Sequence, residues 1–210
     1  MNSVAANILL VEDQKARDQQ ISLFMRWVLP QEHMEWYAEY GWNDHSLNIR
    51  DFYMGPAHSS SYLVGMKKIV PMKKENYFSF QAEYMRTEQL PEYMVRDAGN
   101  WNWHGSLQSF TQYNQLLGSA IGPGNNVFNL ICSWNKGWKR YLFGLEKLQQ
   151  DPLYYSARWT QMVITAGTDY NYKHWVLLTK LKWVKEKNYG WQQDNLQTNI
   201  FASVGIKYFL

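Results

Sequence analysis

The chain has 210 residues, a formal net charge of +3, 46% hydrophobic residues and 17% aromatic residues. The aromatic content excludes a disordered chain, the single cysteine excludes a disulfide-stapled scaffold, and the mild charge without a Lys/Arg run argues against a nucleic-acid partner. No stretch approaches about 18 consecutive apolar residues, so the sequence predicts no membrane-spanning helix.

Apolar and polar residues alternate with a period of two along nine segments, which is the pattern of β-strands with one apolar face. The last segment is the clearest, because Ile200, Ala202 and Val204 alternate with polar or small residues. The predicted strands are roughly 9–14 residues long, as in membrane-spanning sheets rather than soluble ones. In chain order they lie around residues 21–29, 34–42, 62–70, 77–85, 128–134, 141–145, 159–168, 177–183 and 200–210.

The predicted connections alternate strictly between short and long. In an antiparallel sheet this places the short turns at one end and the long loops at the other, as in outer-membrane β-barrels. Trp and Tyr also crowd the strand ends, where such barrels carry aromatic girdles. The alternative, a soluble β-sandwich, explains neither feature. The connections are predicted at residues 30–33, 43–60, 71–75, 87–125, 135–138, 149–157, 169–173 and 188–195.

The sequence predicts one domain or part of one. Residues 1–20 are predicted to form an outer loop or entry segment, and residues 21–210 the C-terminal portion of an antiparallel transmembrane β-barrel with long outer loops at 43–60 and 87–125. Bacterial single-chain barrels have an even number of strands, and lipid tolerates no open sheet edge. Nine strands without a visible signal peptide therefore indicate the C-terminal half of a larger barrel. The final alternating strand resembles the signal read by the barrel-insertion machinery, with Leu210 in place of the usual Phe.

Four stretches resemble the Wzi family of capsule-assembly proteins, especially its Bacteroidetes forms. The resemblance covers about residue 18 to residue 210, and it departs from the family pattern at Ser109, Asn114 and Leu210. The matching stretches are EYGWNDH at 39–45 with 50–52 and 56–59, FQAEYMRTEQ at 80–89, WH at 103–104 with FTQYNQLLG at 110–118 and IGPGNN at 121–126, and GIKY at 205–208.

The resemblance implies an outer-membrane barrel of about eighteen strands in a Gram-negative bacterium. It implies a lectin-like protein, and not an enzyme, that binds capsular or exopolysaccharide and helps its assembly or attachment at the cell surface. The expected partners are this polysaccharide, outer-membrane lipid and the polysaccharide export machinery, with no cofactor and no metal. Because fold does not fix function, a diffusion channel or transporter is the alternative, and an outer-membrane lipase or glycosidase is a third class.

Polysaccharide contacts are predicted in the long loops, where aromatic faces can stack on sugar rings and polar side chains can bind hydroxyl groups. The predicted contact residues are Arg50, Asp51, Trp101, Trp103, His104 and Gln115. Other charged residues are predicted to brace a loop or to fill the barrel lumen, namely Glu39, Asp44, His45, Glu83 and Arg140. Glu39 and Glu83 are also the candidate acid–base pair of the enzymatic alternative. Cys132 is expected to be a lipid-facing hydrophobic residue.

Overall fold

The chain forms a single nine-stranded antiparallel sheet in which each strand pairs with the next long strand along the sequence. This confirms the predicted all-β class and the nine strands. The computed structural model describes residues 20–43, 53, 60–74, 76–88, 111–112, 115–116, 121, 124–150 and 157–209. The strands are β1 (Gln20–Leu29), β2 (Met34–Asn43), β3 (Ser60–Pro71), β4 (Tyr77–Arg86), β7 (Asn126–Lys136), β8 (Lys139–Gln150), β9 (Trp159–Tyr172), β10 (Trp175–Lys187) and β11 (Leu196–Tyr208), with a small separate ribbon of β5 (Thr111–Gln112) and β6 (Gln115–Leu116).

The two ends of the sheet differ in the length of their connections. We call the end with the turns 30–33, 72–76, 137–138 and 173–174 the turn end, and the opposite end the loop end. Each of these turns contains a residue in the left-handed region, which tight hairpin connections require. These residues are His33, Lys74, Gly137 and Lys173, with φ between 48° and 59°. The predicted alternation of short and long connections is therefore reproduced.

The sheet has one face of exposed hydrophobic side chains, which we call the apolar face. In each strand from β1 to β11, every second residue points to this face, and the strand register places these residues beside one another. Leu181, in the middle of β10, is 50% exposed, and no described element packs over it. One exposed residue from each strand illustrates the face: Leu23, Trp36, Val64, Phe80, Phe128, Phe143, Met162, Leu181 and Val204. Cys132 also lies on this face and is half-buried.

The opposite face, here called the polar face, holds the buried residues of the strand interiors. The polar face is therefore the more enclosed of the two faces. Its buried members include three valines, two small polar residues and one carboxylate: Val127, Val163, Val184, Ser61, Ser133 and Glu186. Hydrogen bonds between strands satisfy polar groups there, such as the one joining Ser79 Oγ and Ser133 Oγ at 2.7 Å. The small core therefore lies on the side opposite the large hydrophobic residues.

Strands β1 and β11 are the two edges of the sheet. Among the described residues these strands do not pair with each other, so the sheet is open. Hydrophobic exposure is largest at both edges, with Leu23 67% exposed and Val204 72% exposed. Within the described ranges, no helix is both long enough and apolar enough to cross a membrane.

A glycine on the polar face accommodates a tyrosine ring. The Tyr37 hydroxyl donates a hydrogen bond to Glu83 Oε2 at 2.7 Å, which draws the ring across Gly65 of the neighbouring strand. A Cβ atom at Gly65 would overlap the Tyr37 ring. Lys67 Nζ lies 5.3 Å from the centroid of the same ring. The requirement at Gly65 is therefore for close approach rather than for an unusual backbone angle.

The Gly65→Ala variant is expected to lose about 1–3 kcal/mol of unfolding free energy, because the ring must move away from its partner Glu83. Gly205→Ala is the matched control, since a Cβ atom there would lie 3.7 Å from Leu178 Cβ, an ordinary contact. Denaturant unfolding followed by tryptophan fluorescence measures both variants. A Gly65→Ala variant as stable as Gly205→Ala would contradict the proposed packing.

Candidate functional site at the loop end

Three aromatic side chains meet at the loop end of the polar face. Trp159, the first residue of β9, packs edge-on against Tyr189 and Trp191, with ring centroids 5.0 Å and 4.9 Å away. Tyr189 is 40% exposed, whereas Trp159 and Trp191 are half-buried. We call these three residues the aromatic loop cluster. It presents one open ring, Tyr189, packed against Trp159, which in turn contacts Trp191, and the apolar face of a sugar ring can stack on this surface.

A buried carboxylate holds the first ring of the cluster in place. Glu186 is 5% exposed, and its Oε1 atom accepts hydrogen bonds from Trp159 Nε1 at 3.2 Å and from Gln161 Nε2 at 3.0 Å. Within the described part of the chain, no Lys or Arg forms an ion pair with this carboxylate. Because a buried carboxylate is costly unless it is hydrogen-bonded, these two neutral donors and Glu186 stabilise one another. The orientation of the Trp159 indole is thereby fixed.

The connection between β10 and β11 has an unusually constrained backbone. It contains the short 3-10 helix Tyr189–Trp191, and Trp191 itself has a φ of 59°. A left-handed backbone is uncommon for a bulky residue, and such conformations concentrate at binding sites when the surroundings enforce them. The other residues of this connection with positive φ are Asn188, Gly190 and Asp194.

Hydrogen bonds to the neighbouring strand ends enforce this conformation. Trp191 Nε1 donates to the carbonyl oxygen of Gln150 at 3.2 Å, and Asn188 Nδ2 donates to the carbonyl oxygen of Arg158 at 3.0 Å. The backbone N–H of Asp194 donates to Asn188 Oδ1 at 3.0 Å. These contacts attach the connection to the ends of β8 and β9. The aromatic loop cluster is therefore preorganised before any ligand binds.

The longest connection begins and ends side by side at the same end of the sheet. The side chain of Thr87 is fully buried, and its backbone N–H donates to the Asn125 carbonyl oxygen at 2.8 Å. In return the Asn125 N–H donates to Thr87 Oγ1 at 3.0 Å. Asn126 Nδ2 donates to Glu88 Oε2 at 2.6 Å, and Arg86 Nε lies 3.5 Å from the same oxygen. This pairing fixes the base of the predicted outer loop 87–125.

Most of the residues predicted from the sequence to contact polysaccharide lie outside the described residues. Gln115 falls in β6, where its backbone pairs with Gln112 of β5. Those outside the described residues are Arg50, Asp51, Trp101, Trp103 and His104, together with the predicted loop-bracing residues Asp44 and His45. These roles therefore stay predictions.

The other three predicted bracing residues lie on the polar face in different places. Glu39 belongs to β2, and Glu83 of β4 accepts the hydrogen bond of Tyr37. Arg140 forms an ion pair with Asp169 near the turn end, far along β8 from the loop end. In the described ranges, no group of three or more His, Cys, Asp or Glu side chains is arranged to hold a metal ion.

The sequence prediction did not include the aromatic loop cluster. Trp159 is assigned there to the aromatic girdle, and residues 188–195 are predicted simply as a connection. The available signal was the segment Asn188–Trp191, which places two aromatic residues within a turn that Asn and Gly favour. Period-two analysis cannot detect it, because a loop has no period. Comparison with protein-family models and with curated protein sequences gives no match for this chain.

Proposed function

We propose that this protein is a lectin-like component of a bacterial outer membrane that binds capsular or exopolysaccharide and helps its assembly or attachment at the cell surface. The observation that carries the proposal is the aromatic loop cluster of Trp159, Tyr189 and Trp191. It offers an exposed ring on a rigid support at the end of the sheet where the long connections lie. The resemblance of four sequence stretches to the Wzi family supports the same function.

The exposed apolar face supports the membrane location. Soluble monomers rarely expose a large continuous apolar patch, and this face extends over all nine strands. Lipid cannot satisfy an open sheet edge, so β1 and β11 each require a further strand as partner. We therefore propose that the sheet is part of an outer-membrane barrel of about eighteen strands. In such barrels the short turns face the periplasm and the long loops face outward, so the loop end would lie at the cell surface.

Polysaccharide binding at this end would combine many weak contacts. A sugar ring stacks on Tyr189, while neighbouring amide groups such as Gln192 bind hydroxyl groups. The residues predicted from the sequence to contact polysaccharide, Arg50, Trp101, Trp103 and His104, belong to the predicted long loops 43–60 and 87–125. Because a capsule polymer repeats its sugars, several such contacts along one chain gain strength through avidity. No bond in the polymer needs to break for this function.

The Tyr189→Ala variant tests the proposal. We expect it to lower the affinity for polysaccharide by about fivefold, since one ring-stacking contact contributes on the order of 1 kcal/mol. The probe is polysaccharide released from the surface of the expressing strain, titrated against the detergent-purified protein. Retention of the same polymer on whole cells is measured in parallel. The double variant Trp101→Ala/Trp103→Ala is expected to lower retention in the same way.

Tyr77→Ala is the matched control for these measurements. Tyr77 is 38% exposed, nearly as much as Tyr189, but it lies at the turn end. We expect the control to bind and retain polysaccharide like the wild-type protein. If Tyr189→Ala and the double tryptophan variant both behave like the control, the lectin function is wrong. Liposome swelling by the wild-type protein would then favour the diffusion channel.

A further inference from the structure

The turn end carries a basic cavity that the proposed polysaccharide function does not use. The cavity has a volume of about 790 Å³ and lies between the turns 72–76, 137–138 and 173–174. The described residues that line this cavity, which we call the lysine pocket, include no Asp or Glu and four lysines: Lys74, Lys136, Lys139 and Lys173. The pocket thus concentrates positive charge at one end of a sheet whose overall charge is mild.

Three of these lysines lie against aromatic rings. Lys136 Nζ is 5.5 Å from the centroid of Trp134, and Lys139 Nζ is 5.0 Å from that of Tyr170. Lys173 Nζ is 5.5 Å from the centroid of Tyr172. Cation–π contacts of this kind hold the ammonium groups in place without neutralising them.

Three other cationic side chains near the turn end do have carboxylate partners. Arg26 pairs with Glu35 at 2.8 Å, Lys68 lies 3.8 Å from Glu32, and Arg140 pairs with Asp169. Within the described part of the chain, the four lysines of the pocket have no such carboxylate partner. Among the described residues the pocket therefore offers ammonium groups without a carboxylate, a composition that suits an anionic ligand.

The pocket is continuous with the exposed apolar face. Lys136 and Lys139 belong to the strand positions that face this side, as do the pocket residues Tyr141, Tyr170 and Tyr172. Proceeding away from the turns, the next exposed residues on the face are hydrophobic, including Phe143 and Leu181. A ligand that fits both parts has an anionic group at one end and long apolar chains at the other.

We propose that the lysine pocket binds the phosphate of an anionic phospholipid whose acyl chains lie along the apolar face. The inference rests on the membrane location proposed above and adds a preference for one class of lipid. Lysine ammonium groups bind phosphate oxygens through charge-assisted hydrogen bonds. Tyrosine rings occupy the headgroup level of a bilayer, which matches their position just inside the lysines. Free phosphate would use the lysines alone and would leave the adjoining apolar surface unused.

Lipid binding to the native protein, extracted in mild detergent, tests the proposal by native mass spectrometry. Phosphatidylglycerol and phosphatidylcholine are titrated separately. We expect the wild-type protein to prefer phosphatidylglycerol, and the Lys136→Gln/Lys139→Gln/Lys173→Gln variant to bind it about tenfold more weakly or worse. The variant Lys67→Gln/Lys180→Gln/Lys207→Gln removes the same charge from the polar face. This control is expected to retain the preference.

Three outcomes would overturn the lipid proposal. These are equal binding of both lipids, equal losses in the two triple variants, and displacement of phosphatidylglycerol by an equal concentration of glycerol phosphate. Insertion of the protein into pure phosphatidylcholine vesicles is measured alongside. If the protein inserts but shows no lipid preference, only the proposed phospholipid binding in the lysine pocket is wrong. If the protein does not insert, the proposed membrane location is wrong as well.

Discussion

On the proposed membrane location, the Leu181→Arg variant is expected to lose most of its assembly into the outer membrane. Leu181 lies in the middle of the apolar face, between Ala166 and Ala202 of the neighbouring strands, and is 50% exposed. An arginine on the lipid face of a barrel costs about 2–4 kcal/mol near the middle of the bilayer. The measurement is the fraction of protein in the outer-membrane pellet that shows the gel-mobility shift of a folded barrel on heating.

Ser203→Arg provides the control on the other face. Ser203 lies one strand away on β11 and points to the polar face, where lysines already occupy neighbouring positions. We expect this variant to assemble at nearly the wild-type level, because the added charge stays in water. A Leu181→Arg protein that is soluble without detergent and as stable as Ser203→Arg would show that the apolar face does not contact lipid.

The Glu186→Ala variant is expected to have the largest effect at the loop end. Glu186 is 5% exposed in the wild-type protein. Removal of its side chain leaves Trp159 Nε1 and Gln161 Nε2 without the acceptor that they share. Each unpaired buried donor costs about 1–3 kcal/mol, so the unfolding free energy should fall by about 2 kcal/mol or more. Polysaccharide affinity should fall as well, because the Trp159 indole no longer supports Tyr189. Denaturant unfolding and polysaccharide titration measure the two effects.

Glu186→Gln separates hydrogen bonding from charge. The glutamine carbonyl oxygen can accept both hydrogen bonds, so stability and polysaccharide affinity should stay close to wild type. If Glu186→Gln is as damaging as Glu186→Ala, the negative charge itself is required, and the acceptor role assigned here is wrong. An unchanged Glu186→Ala variant would show instead that the aromatic loop cluster does not depend on the carboxylate.

The sheet was predictable because its signal is repeated in every strand. Alternation in Ile200–Val204 alone is weak, but nine such segments separated by alternately short and long connections favour one antiparallel meander. Predicted strand ends differ from the observed ones by a few residues, as at β9, which extends to Tyr172 rather than ending near residue 168. The end of a strand depends on its pairing with the neighbouring strand, and here Tyr172 pairs with Trp175 at the start of β10. The local alternation of apolar and polar residues does not reveal this pairing.

The candidate site was less predictable, for a physical reason. The polysaccharide prediction placed its residues in the two longest connections, because loop length is visible in a sequence. The aromatic loop cluster instead joins β9 to the less extended connection between β10 and β11, through Trp159 and Tyr189. Only the strand order brings them together, and only the hydrogen bonds of Asn188 and Trp191 explain the loop conformation.

Taken by itself, the sequence determined which side chains lie on the same face, because a β-strand alternates its side chains whatever surrounds it. It also determined where the chain turns, since short polar segments with Gly, Asn or Lys separate the alternating runs. The tertiary structure decided where each strand ends and which distant residues meet at each end of the sheet. These properties depend on register and curvature, which arise only when all nine strands pair.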